Sequence, residues 1–171
     1  MSVEPCIIRV TPLEFGQLQK HPEALDDFID DGYETGAFSF DWSPNAPPTR
    51  MLHLDEFAIS LLTGFDDDSP LCRALVGWDS SLLEGARHGH GGAYYYTPQR
   101  VCDIAEELES LPEAHLRERL ESRAENFRLA ASGFLDGDEA IRSHQRDHFY
   151  RLRSFYREAA GSGDYILLMM V

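Results

Sequence analysis

The two histidine pairs of this 171-residue chain are its side chains best suited to chemistry. His144-Gln-Arg-Asp-His148 sets two imidazoles four residues apart, on one side of a helix, as helical zinc-protease motifs present their ligands. In that chemistry a Glu follows the first His and takes a proton from zinc-bound water. Gln145 stands there instead, and an amide cannot serve as that base. The second pair, His88-Gly-His90, lies among glycines running from Gly85 to Gly92. Neither pair has a third ligand at helical or loop spacing, so no bound metal and no cofactor are expected. The helix wheel gives His148 a plainer role on an apolar stripe, with His144 at its edge.

Other chemistries fit less well. A phosphate cradle follows a strand and opens a helix, whereas the glycines around His90 come before a strand. No Gly-x-Ser-x-Gly elbow occurs, and neither Asp66-Asp-Asp68 nor Asp136-Gly-Asp138 has the ligand number of a calcium loop. Cys6, Cys72 and Cys102 are odd in number, far apart and flanked by apolar residues, as expected of reduced thiols that pack as small hydrophobes.

Charge is the more informative signal. Twelve of the thirty acids lie between Glu23 and Asp68, where Arg50 is the only base. Residues 1–116 hold 21 acids against 6 bases and residues 117–171 hold 9 of each, so the formal charge of −15 belongs to the N-terminal two-thirds. Such a field repels phosphate backbones and anionic lipid and attracts a basic partner, which excludes nucleic acid and membrane as expected partners. Leu25, Phe28 and Ile29 take the inner side of a short helix, so Asp26, Asp27, Asp30 and Asp31 must face outward. Asp66, Asp67 and Asp68 follow Gly64 in a turn. These seven carboxylates are the candidate partner-binding residues. Against the acidic background, Arg142, Arg146, Arg153 and Arg157 share one face of the longest helix. That stripe is either a solvated face or a surface for acidic groups, including those of a second copy.

The elements that position these residues follow from local pattern. Cys6–Val10 and Ala93–Tyr96 read as strands, each stopped by Thr-Pro, in which the Thr N-caps a helix that begins on Pro. Thr11 with Glu14 completes a capping box. A short helix is predicted over Pro22–Asp31, and a strand over Phe38, Phe40 and Trp42, which alternate with polar residues. Pro44, Pro47 and Pro48 make a stiff connection to a helix over Leu54, Phe57, Ala58 and Leu61, closed by Gly64. Ser69-Pro70 could start a helix, or Arg73–Gly77 could be a strand; Trp78–Gly92 reads as a loop. Ser110 and Glu113 suggest a capping box ahead of Leu116 and Leu120. The longest helix runs from Asp138 to Ala160, with Ile141, His148, Phe149, Leu152, Phe155, Tyr156 and Ala159 as its core stripe. Tyr165–Val171 is apolar on both faces and suits a central, covered strand. The alternation predicts one α/β domain over residues 1–171, a small mixed sheet flanked by helices. No apolar run approaches the roughly 20 residues that span a bilayer, and no signal-peptide pattern opens the chain, so a cytoplasmic location is expected.

Four segments in order then carry a resemblance. They are Leu61-Leu-Thr-Gly64, Ser69-Pro-Leu-Cys-Arg-Ala-Leu-Val-Gly77, Tyr95-Tyr-Thr-Pro-Gln-Arg-Val-Cys-Asp-Ile-Ala-Glu-Glu-Leu108 and Phe155-Tyr-Arg-Glu-Ala-Ala-Gly-Ser-Gly-Asp164 with the strand after it. Together they resemble the YfbM-like family of small bacterial proteins of unknown function, over most of the chain from Val10 onward and least over Ala37–Arg50. The resemblance implies a single α/β layered domain from a bacterial cytoplasm and no assigned activity. Asp55 and Ile59 stand where relatives tend to carry Trp and His, so a family site built on those two would be impaired here. His88 and His90 have no counterparts in the family pattern.

The leading functional reading is a non-enzymatic, inhibitor- or immunity-like protein whose acidic surface binds a basic protein through electrostatic steering. The alternative is an enzyme or small-molecule-binding protein with a pocket near Trp78–Gly92, using His88, His90 or His148.

Overall fold

The computed structural model describes residues 5–41, 48–54, 69–88, 91–122 and 138–170. In chain order they form β1 (Pro5–Val10), α1 (Pro12–Lys20), a 3-10 turn (Pro22–Ala24), α2 (Leu25–Glu34), β2 (Met51–His53) and α3 (Pro70–Val76). The hairpin β3 (Ser81–His88) and β4 (Gly91–Tyr96) follows, then α4 (Pro98–Ser110), α5 (Glu113–Ser122), α6 (Asp138–Ser162) and β5 (Tyr165–Met170). The strands form one sheet in the order β2-β1-β5-β4-β3. The C-terminal run is thus the central strand, and its register, Ile7 with Leu168 and Tyr95 with Leu167, ties both halves of the chain together.

Burial on both faces explains why β5 is apolar throughout. Ile166 and Leu168 join Ile7, Leu52 and Tyr96 in a core closed by α3, α4 and α6. Leu167 and Met169 join Cys6, Ile8, Val10 and Ala93 in a second core closed by α1 and α2. The predicted stripe of α6 is buried at every position, from Ile141 to Ala159. Two buried tyrosines keep their hydroxyls satisfied: Tyr156 donates to the Ala74 carbonyl at 2.7 Å, and Tyr96 lies 2.8 Å from the Asp79 carboxylate. Both Thr-Pro starts form as expected. The Thr11 hydroxyl accepts from the Glu14 N–H while Glu14 accepts from the Thr11 N–H, and Thr97 accepts from the Arg100 N–H.

Several expectations are corrected. The sheet is antiparallel in each of its four pairings rather than mixed. A parallel pair needs a crossover that carries the chain back to the end of the sheet where the first strand began. The connections from β1 to β2 and from β4 to β5 instead return the chain at the end where the preceding strand finished, so both pairs run antiparallel. Residues 38–41 are not a strand. The Phe38 N–H bonds to the Gly32 carbonyl at 3.0 Å, so this segment is the exit of α2, and its alternating aromatics have another cause. Phe38 packs where Gly32 has no side chain, since a Cβ there would sit 1.9 Å from the Phe38 ring. Phe40 instead stacks on Tyr33 at 4.6 Å between ring centroids. Trp42 lies outside the described residues, as does the predicted helix beyond Leu54.

The expected Trp78–Gly92 loop is largely the β3–β4 hairpin. Its strand character is hidden because the buried residues of β3, Leu83 and Ala86, are three apart rather than two. A register shift between Leu82 and Arg87, at Gly85 with φ +82°, brings both to the α1–α2 side. The segment after Ser69 is helical: Ser69 accepts from the Cys72 N–H and Gly77 ends α3 at φ 72°. The helix predicted from Pro22 begins as the 3-10 turn and continues to Glu34. Ser110 closes α4, its hydroxyl donating to the Glu106 carbonyl, so it caps nothing in α5.

Candidate functional site

Helix α2 is amphipathic in the way its sequence implies. Leu25, Ile29 and Gly32 are buried, and Asp26, Asp27, Asp30 and Asp31 are exposed. Asp27, Asp30 and Asp31 form no ion pair among the described residues. Asp26 is different, because its Oδ1 lies 2.7 Å from Nδ1 of His88 at the end of β3. A carboxylate can only accept, so Nδ1 carries the proton and Nε2 is turned away from it. The fold therefore joins two residues that the sequence placed in separate readings, one acidic and one histidine.

Behind α2, a groove of about 390 Å³ separates it from α1. Glu14, Gln17, Leu18 and His21 line one wall; Ala24, Asp27, Phe28 and Asp31 line the other. Both sets follow the i, i+3, i+4, i+7 spacing of a single helix face. Leu18 is buried and Phe28 half-buried, so the floor is apolar and the rim carries carboxylates. Glu14 is already engaged by the Thr11 N–H at 2.7 Å and by Arg50 at 3.0 Å. Partial burial raises its pKa, but the hydrogen bonds from Arg50 and Thr11 outweigh this and hold it below the usual carboxylate range. The uncommitted charges of the rim are therefore Asp27 and Asp31. The groove is not legible in the sequence. Each wall is legible on a helical wheel, but only the Pro22 turn, seated on Gly85, brings the two walls face to face.

The remaining candidates are dispersed. Asp66, Asp67, Asp68 and His90 lie outside the described residues, as do Asp55 and Ile59. His144 and His148 pack ring against ring at 4.4 Å on α6, against the opposite face of the sheet from α2, so His88 and His148 share no pocket. His148 is fully buried, and Gln145 is 3% exposed with its Nε2 donating to the Leu116 carbonyl of α5. The glutamine in the zinc-base position thus joins two helices. Among the described residues, no three His, Cys, Asp or Glu side chains gather as a metal-binding group. A second depression of about 460 Å³ does lie on the hairpin, lined by Leu82, Gly85, Arg87, Gly92 and Tyr94, but not by His88. The cysteines are free thiols, and burial pushes that of Cys6 up to about 12.

The arginine stripe divides in two. Arg153 and Arg157 reach Glu109 of α4 at 3.5 and 3.3 Å, and Arg153 also lies over the Phe149 and Tyr150 rings. Arg142 and Arg146 are exposed. Two other arginines, not singled out in sequence, are more deeply placed. Arg151 donates to the backbone carbonyls of Asp41 and His53, and Arg9 binds Asp164 and Glu158.

No described helix is long and apolar enough to cross a membrane. The sequence matches no functionally curated protein. Among solved structures, the chain is similar to YfbM from Escherichia coli, a protein of unknown function. The two are 20% identical with a TM-score of 0.62, over 98% of this chain and 99% of that one. At that identity the likeness concerns the fold alone. The profile of the family described as "Domain of unknown function (DUF1877)" matches residues 1–169, and the chain belongs to that family.

Proposed function

We propose that this protein is a non-enzymatic, cytoplasmic interaction protein whose acidic α2 surface binds a basic protein in the manner of an inhibitor. The observation that carries the reading is the placement of the α2 carboxylates, of which Asp27, Asp30 and Asp31 form no ion pair among the described residues. Asp26 and Asp27 occupy the first turn of α2, where the helix dipole favours an anion. Asp30, Asp31 and Glu34 lie towards the other end, where the dipole opposes them, and Asp30 stands four residues from both Asp26 and Glu34. Folding alone gives no reason to keep anions there, whereas a cationic partner does. Solubility alone would be served equally by charges at less strained positions.

Association kinetics test this. Protein recovered from the source cell at low salt should include a basic partner, and its on-rate should fall steeply with ionic strength. Changing Asp30 and Asp31 to Lys should slow association further at low salt. A partner whose on-rate ignores both salt and these reversals would show that the acidic face is only solvated.

A further inference from the structure

We propose that the groove between α1 and α2 receives an arginine side chain of the basic partner, its stem on Leu18 and Phe28 and its guanidinium between Asp27 and Asp31. The inference rests on the basic-partner reading and adds the place and chemistry of the central contact. Four features select the occupant. The floor is apolar, which suits the three methylenes of an arginine stem rather than a hydrated ion. The rim carries two carboxylates one helical turn apart on the same wall, roughly 5–6 Å between their Cβ atoms. A planar guanidinium with five donors can reach both, whereas an ammonium is a point charge that serves one well. An apolar peptide is disfavoured, because it would cover Asp27 and Asp31 without pairing them. The chain's own nearby base, Arg50, is committed to Glu14 and to the Arg9 carbonyl.

The decisive comparison uses two double variants with the same charge change. Asp27→Asn with Asp31→Asn alters the groove. Asp30→Asn with Glu34→Gln removes two charges at the same spacing from the same helix, outside the groove. All four side chains are exposed, so each variant should fold, which near-ultraviolet circular dichroism verifies. The probe is a fluorescein-labelled peptide of alternating glycine and arginine, its binding to the full chain read by anisotropy at low salt. The groove variant should weaken binding about tenfold and the other about twofold, as loss of paired rather than merely neighbouring charge predicts. The matching glycine–lysine peptide should bind the unaltered protein several-fold more weakly. Equal weakening by both variants would overturn the groove and leave the acidic-face reading standing. No binding of either peptide to the unaltered protein would overturn both.

Discussion

Asp79 and Glu14 show how single carboxylates make the stability of this fold depend on pH. Asp79 receives the Tyr96 hydroxyl at 2.8 Å and a paired contact from the Arg100 guanidinium. Partial burial raises its pKa, but the Tyr96 and Arg100 hydrogen bonds bring it below the usual value, as Arg50 and Thr11 do for Glu14. A carboxyl whose folded pKa is depressed contributes stability that is complete above the unfolded value and is lost as pH falls through the folded one. The urea midpoint should therefore stay level from neutral pH to about pH 5 and fall from about pH 4 downward. Asp79→Asn should lower stability by at most about 1 kcal/mol at neutral pH, because the side chain is 42% exposed and solvent screens its pairing, and the gap to the unaltered protein should narrow below pH 4. A gap that persists at pH 3 would mean that Asp79 acts through packing rather than charge. Thr11→Ala, which removes a cap, should cost about 1 kcal/mol in the same assay.

At the scale of elements, the hairpin and the central strand make the sharpest predictions. Gly85 has φ +82°, and an added Cβ would lie 3.0 Å from Pro22 Cγ, so it holds both the shift in β3 and the turn before α2. Gly85→Ala should destabilise by about 1–3 kcal/mol. Gly91→Ala, with nothing within 4 Å and no positive φ, should be tolerated in thermal unfolding. Strand β5 buries Ile166, Leu167, Leu168 and Met169 almost completely. At roughly 1.5–3 kcal/mol for each buried side chain, truncation after Asp164 removes about as much as a domain's whole margin of about 5–15 kcal/mol. The shortened chain should show no cooperative unfolding transition. The Thr-Pro caps and the α6 stripe were legible because each depends on spacing within a single element. The β3–β4 hairpin was not, because a glycine-centred shift replaces the period of two with three. Nor was the coil at residues 38–41, whose alternation reflects two separate contacts, with Gly32 and with Tyr33.

At the scale of the whole molecule, the formal charge of −15 acts as a field on folding and association together. Asp30→Lys replaces two like-charge neighbours with two opposite ones. It should raise the stability of the free protein by a few tenths of a kcal/mol while slowing capture of a basic partner. A variant that gains stability and keeps its on-rate would separate the acidic surface from function. Sequence by itself determined the α/β class, the central place of the C-terminal strand and the outward turn of the α2 carboxylates. Each of these follows from which residues must leave water, and that is written in spacing along one element. Tertiary structure alone decided that Asp26 meets His88, that His144 and His148 lie across the sheet from them, and that α1 and α2 enclose a groove. Those pairings depend on which faces of distant elements oppose one another. That choice is made by packing against the shared sheet, where no local period records it.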